Sequence, residues 1–161
     1  MLQLTEVAAP TLAALDALLV GALQRPVALA EQQARETLAA SGEPFGWAVV
    51  DAGATAFPPG IESAWVFVIA PGTQPEAHRH PNSVQHLRSL RGEGRVGLFS
   101  QGSSVRETWM LGQASPWLVI GQDVFHEVAC TTDAAWVVVS FHTVPAGELL
   151  EVTASGVRHY A

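Results

Sequence analysis

The chain has no lysine, one cysteine, one tyrosine and no long apolar run. Without lysine, Schiff-base chemistry and an amine general base are excluded. The lone Cys130 excludes an intrachain disulfide and any multi-cysteine metal site, and it fits a reducing compartment. Tyrosine-dependent mechanisms would rest on Tyr160 alone, one residue from the end. A membrane helix needs ~18 apolar residues in a row, and Asp16 interrupts the longest candidate. The N-terminus carries Glu6 and lacks the basic start of a signal peptide, so a cytoplasmic location is expected. Positive charge is scarce as well: eight arginines against fifteen acidic residues give a formal charge of −7. That balance argues against a nucleic-acid or anionic-membrane partner.

What is present describes a packed domain. The 161 residues are 48% hydrophobic and 14% charged, which is enough for one proper core. Leu12, Leu15, Leu18, Leu19 and Leu23 recur at helical spacing over residues 9–24, with Pro10 near the start. After Pro26 a second helix is expected to about Ala40, carrying a Glu31–Arg35 pair and ending at Ser41-Gly42. Beyond Gly42 the pattern changes to short β-branched and aromatic runs between Gly, Pro, Ser and Asp breakers. These are Trp47–Val50, Ala64–Ala70, Val84–Leu90, Arg95–Phe99, Val105–Leu111, Trp117–Ile120 and Ala134–His142. Such regular short strands read as a sandwich or closed barrel. The expected layout is a helical segment over residues 1–43 packing on a β-barrel domain over residues 44–161.

The chemistry lies in the histidines. His78 and His80 are two apart, so on a strand they face the same side. Pro81-Asn82-Ser83 then offers a turn that brings Gln85 back beside them, and His126 follows downstream. Neutral imidazole is the commonest metal ligand, so this spacing points to a metal centre. His86 is the rival to Gln85, but on a regular strand it faces away, with Arg88, toward the outer surface or a subunit contact. Arg79, between two inward residues, is expected to point outward. Trp47, Trp65, Trp109, Trp117 and Trp136 are mostly core, with one or two walling a pocket.

Gly72, five residues, His78-x-His80, four residues, Gln85, six residues, Gly92: this run resembles the first cupin motif. Gln85 stands where that family usually has Glu. The second motif, Pro-x-Gly-x-x-His-x-x-x-Asn, falls on Gly121, Asp123, His126 and Cys130, so only the histidine is kept. The resemblance covers about residues 64–142. It implies a mainly β fold, a single cupin jelly-roll β-barrel with two N-terminal helices. It also implies one divalent transition metal held by His78, His80, Gln85 and His126. Iron is the first expectation, with Mn, Ni, Co, Cu or Zn also compatible with three imidazoles and an amide oxygen. The neutral amide leaves the dication uncompensated, so an anionic substrate is favoured.

His142, in Ser140-Phe141-His142, is similar to a late-strand histidine of thiol dioxygenases in the same superfamily. The tyrosine two residues on is Val144 here, and Ala64–Ala70 holds no arginine to receive a substrate carboxylate. His142 is nonetheless the candidate catalytic residue. The leading expectation is a mononuclear non-haem iron dioxygenase acting on a small anionic substrate, with no protein carboxylate at the centre to act as base. The alternatives are a metal-dependent isomerase, lyase or hydrolase, and a ligand-binding or regulatory cupin without turnover. A general base near the metal would favour the isomerase or lyase, and Glu76, Glu107 and His142 are its candidates. The resemblance implies a homodimer through outer strands, and Leu12, Leu15 and Leu19 are expected to be buried, against the barrel or a second subunit.

Overall fold

A computed structural model describes residues 2–100, 102–104 and 106–159. Tyr160 and the expected strand start at Val105 lie outside them. Two helices come first, α1 (Leu2–Leu19) and α2 (Gln24–Ser41). Helix α1 starts earlier than the leucine spacing suggests, which puts Pro10 inside it. The ring sits on the exposed side of the helix. Pro26 falls in the first turn of α2, where a missing N–H costs nothing, and Val27 N–H donates to Leu23 O at 2.9 Å. The helix ends as expected at Gly42, in the left-handed conformation at φ 68°.

Eleven strands follow among the described residues: β1 (Phe45–Val49), β2 (Ser63–Ile69), β3 (His78–Arg79), β4 (Gln85–Arg91), β5 (Gly94–Phe99), β6 (Glu107–Leu111), β7 (Trp117–Ile120), β8 (Phe125–Cys130), β9 (Trp136–His142), β10 (Leu150–Thr153) and β11 (Gly156–His159). They form two antiparallel sheets, ordered β1-β2-β9-β4-β7 and β11-β10-β3-β8-β5-β6. The chain passes repeatedly from one sheet to the other, as in a jelly roll. Seven strands match expected runs. The four others lack their signal: β3 is two residues long, β8 carries His126 and Glu127 in place of an apolar run, and β10–β11 is a short hairpin.

The five-stranded sheet is covered on both faces. Ala64, Val66, Val68, Val137, Val139 and Phe141 pack outward against Leu15, Leu23, Val27, Ala30 and Ala34 of the helices. Ile69, Leu87, Leu118, Ile120, Trp136 and Val138 point inward and meet Val96, Leu98, Leu111 and Cys130 of the other sheet. Burial of both faces explains why β9 reads as an almost continuous apolar run. Leu12 and Leu15 are buried against the barrel and Leu19 is half-buried, so α1 is a cover for the sheet. Among the described residues no single helix is long and apolar enough to cross a membrane.

Polar contacts pin the helices. Asp16 accepts from Arg88 Nε at 2.6 Å and from Trp117 Nε1 at 3.0 Å. Glu31 is not merely the i,i+4 partner of Arg35. It is buried and also accepts from Arg91 at the end of β4. Burial alone would raise its carboxyl pKa, but the hydrogen bonds from Arg91 and Arg35 outweigh burial and lower it.

Helix α2 approaches β1 closely at Gly46. A Cβ there would lie 2.0 Å from Ala34 O and 2.7 Å from Leu38 N, both backbone atoms of the helix. Gly46→Ala is therefore expected to push α2 off the sheet and cost roughly 1–3 kcal/mol or more in urea unfolding. Gly147→Ala, with nothing within 4 Å, is expected to stay near neutral in the same measurement.

Candidate metal centre

The inner face of the barrel is apolar at one end and polar at the other. His78 lies on β3, directly opposite His126 on β8, and His80 follows at the end of β3. Gln85 opens β4 opposite His142 on β9. One ligand atom from each of His78, His80 and His126 falls within 4.8 Å of the others. Each ring has its Nδ1 against a backbone carbonyl: His78 on Glu76 O at 3.3 Å, His80 on Leu150 O at 2.8 Å, His126 on Val124 O at 3.1 Å. A carbonyl only accepts, so Nδ1 carries the hydrogen and Nε2 keeps its lone pair in all three rings.

Asp123 helps to set this geometry. It takes φ 66° where the cupin motif has glycine, and its N–H donates to His80 O at 2.9 Å. Aspartate is among the few residues that adopt this conformation. The second motif thus keeps its turn although it lost the residue type.

The site fits a cation. His126 Nε2 and Gln85 Oε1 are buried acceptors without a hydrogen-bond partner, and both residues are at least nine-tenths buried. A buried acceptor without a donor is costly, and a dication between the three rings and the amide oxygen would satisfy both. Gln85 Nε2 is engaged elsewhere, donating to Ser140 Oγ at 2.8 Å.

Other candidates lie elsewhere. His86 faces away as expected, but it is buried, not exposed: Ala8 and Leu12 of α1 pack on its neighbours Val84 and Val119. His142 does not line the cavity beside the histidines. It sits behind His80, with Nδ1 3.0 Å from Ser83 Oγ and Nε2 2.9 Å from Ser140 Oγ. Arg79 points outward to Asp123. Glu76 lines the cavity, but its carboxylate accepts from Ser155, and Glu107 lies exposed on β6. Cys130 is buried and free, in the apolar end. The cavity wall is made by Phe45 and Phe67, not by tryptophan. Trp65 and Trp136 are core, while Trp109 is exposed on β6.

The expectation of a centre without a carboxylate is corrected by Glu151. It is 3% exposed, lines the cavity, and has Oε2 3.6 Å from His78 Nε2. Cross-strand pairing places Arg158 of β11 opposite it, with Nε 3.6 Å from Glu151 Oε1. Arg158 also lines the cavity, so an arginine is present after all, on a strand the apolar pattern did not reveal. The available signal was a two-residue turn, Ala154-Ser155, between Val152-Thr153 and Gly156-Val157. The cavity itself holds about 50 Å³, room for a few water-sized groups.

Burial, and next the neighbouring His80, pushes the His78 pKa down to about 3. Burial also lowers His80, His86, His126 and His142. The unfolded chain takes up these protons near pH 6.5 while the fold resists them, so stability rises with pH through this window. Metal-free protein is expected to hold a constant urea midpoint above about pH 7 and to lose stability steadily from about pH 6.5 toward pH 3. A midpoint that stays flat over that range would contradict neutral buried rings.

No sequence-family model matches the chain, and no curated protein matches it in sequence. In fold it is similar to a Lactobacillus farciminis oxalate decarboxylase in a formate complex, at TM-score 0.55 and 23% identity over 70% of this chain. It is likewise similar to the capsular polysaccharide assembling protein CapF from Staphylococcus aureus, at 0.53 and 12% over 63%. A third is Peruvianin-I, a cysteine peptidase from Thevetia peruviana latex, at 0.52 and 17% over 63%. The match spans 32% of the decarboxylase, 28% of CapF and 64% of Peruvianin-I. Names so different share an architecture and not an activity. With its two facing jelly-roll sheets and histidines gathered between them, the chain is a cupin-fold protein.

Proposed function

We propose that the chain is a metal-dependent enzyme acting on a small anionic substrate, with one divalent transition metal held by His78, His80, His126 and Gln85. The observation behind this reading is the pair of buried, unpartnered acceptors, His126 Nε2 and Gln85 Oε1, facing a small cavity. A bound dication would supply Lewis-acid stabilisation of developing negative charge and, if iron, electron transfer. Iron remains the first choice of metal, and three imidazoles with an amide oxygen also suit Mn, Co, Ni, Cu and Zn.

Glu151 bears on the choice between reaction classes. The mononuclear iron dioxygenase reading needs no protein base, whereas a lyase or isomerase does. A buried carboxylate beside His78 favours the lyase or isomerase. In this reading Glu151 Oε2 takes a proton from the substrate and returns it. Arg158 draws the substrate's anionic group to the cavity mouth, while Phe45, Phe67 and Leu87 exclude water. A compact carboxylic acid fits the space of this cavity. The similarity in fold to an enzyme named for oxalate is in keeping with such a substrate. A homodimer and a cytoplasmic site belong to the same reading, with Trp109 and Met110 exposed on strand β6 as the dimer contact.

The test is metal analysis of protein purified without chelator, then small carboxylic acids in D2O followed by NMR and an oxygen electrode. About one metal per chain is expected, with C–H exchange or C–C cleavage and no oxygen uptake. Glu151→Gln is expected to lower that rate about 10²–10⁴-fold while metal content stays unchanged. Oxygen uptake matching substrate loss would restore the dioxygenase reading. A ligand that raises the melting temperature without turnover would make the chain a binding protein. Protein without metal would overturn the proposal.

A further inference from the structure

Behind Gln85 the interior holds an unbroken file of polar groups. Gln85 Nε2 lies 2.8 Å from Ser140 Oγ, which lies 2.9 Å from His142 Nε2. His142 Nδ1 is 3.0 Å from Ser83 Oγ, which is 3.0 Å from Val84 O and accepts from Thr143 N–H at 3.1 Å. Ser140 and His142 are wholly buried. Every member from Gln85 to Ser83 both donates and accepts, so the file has two self-consistent polarities. In one, Gln85 NH2 donates to Ser140, Ser140 O–H to His142 Nε2, His142 Nδ1–H to Ser83 and Ser83 O–H to Val84 O. In the other the amide is turned over and the bonds from Gln85 to Ser83 run the opposite way, which takes the Ser83 hydrogen from Val84 O.

The two polarities present opposite charges to the histidines. The first aims the amide oxygen at them, and the second aims the positive NH2 edge. A glutamate has no such ambiguity, because both its ends are oxygen. Glutamine at this position is correct one way round only, so a fixed polarity behind it readies the oxygen before a metal arrives.

We propose that Ser140, backed by His142 and Ser83, is a positioning residue that points the Gln85 amide oxygen, and not its NH2, at the bound metal. This rests on the metal-binding reading above. It also gives His142 a role that fits its placement: no contact with the cavity, and each ring nitrogen within hydrogen-bond distance of a serine hydroxyl. The effect on the site runs through Gln85.

The test is a double-mutant cycle read by Co²⁺ affinity and by the visible absorption of the Co²⁺ protein. It compares wild type, Ser140→Ala, Gln85→Glu and the double variant. In the wild-type background Ser140→Ala is expected to weaken Co²⁺ about 10–100-fold and to change the absorption. Gln85→Glu is expected to bind Co²⁺ more tightly. In that background Ser140→Ala is expected to cost less than about twofold, because either carboxylate oxygen serves. Equal cost in both backgrounds would assign Ser140 to packing and overturn the proposal, as would no cost in either. If Ser140→Ala does not fold, ¹⁵N NMR of the Zn²⁺-loaded wild type decides instead. A hydrogen on His142 Nδ1 with bare Nε2 supports the proposal, and one on Nε2 overturns it. Wild type that takes up neither metal would sink the metal reading and this proposal together. Wild type that binds Co²⁺ with Ser140→Ala indistinguishable would sink the positioning role alone.

Discussion

Three backbone carbonyls, those of Glu76, Val124 and Leu150, each hold the Nδ1 hydrogen of one imidazole. That constraint fixes which face of each ring carries a lone pair, and so sets the character of the polar end of the barrel. The carbonyls come from the approach to β3, from β10 and from the turn into β8, so the site requires these three parts to be in register. Strand β3 is only two residues long, yet it pairs with β10 on one side and β8 on the other. Its brevity is tolerable because Asp123 N–H, the Asn82 side chain and Gln122 tie the following turn to its neighbours.

The apolar end and the helices make that polar end affordable. Four neutral imidazoles, an amide, two serines and a carboxylate occupy the interior at one end, and burying polar groups is unfavourable unless each finds a partner. Most of them do, within the file behind Gln85 and along the carbonyls. Stability then comes from the two-sided burial of β2 and β9, inward on Trp136 and Val138 and outward on α1 and α2. The helices are thus part of what allows a polar interior. Asp16 and Glu31 fix their positions through Arg88 and Arg91.

Much of this was legible in the sequence, for definite reasons. The 3.6-residue leucine spacing marked the first helix, Pro26, the Glu31–Arg35 pair and Ser41-Gly42 marked the second, and β-branched and aromatic runs marked seven of the strands. The motif spacing gathered His78, His80, Gln85 and His126, and the structure places all four around one cavity. What escaped was what periodicity does not encode. Glu151 and Arg158 sit on a hairpin of two four-residue strands with charged residues facing the cavity, so alternation read it as loop. His86 looked like a surface residue because strand parity says which way a side chain points and not what covers it, and α1 covers it. The Glu31–Arg35 pair could be read from helical spacing, but not the burial of Glu31 or its second partner Arg91, which comes from another element.

The central claim is that three Nε2 atoms and one amide oxygen define a single metal position. Anomalous-difference maps from crystals loaded with Co²⁺ test it directly. One peak is expected, within ~2.0–2.3 Å of Nε2 of His78, His80 and His126, with Gln85 Oε1 turned toward it. A peak bound through His86, one bound through Nδ1 atoms, or no peak between the three rings would contradict the account.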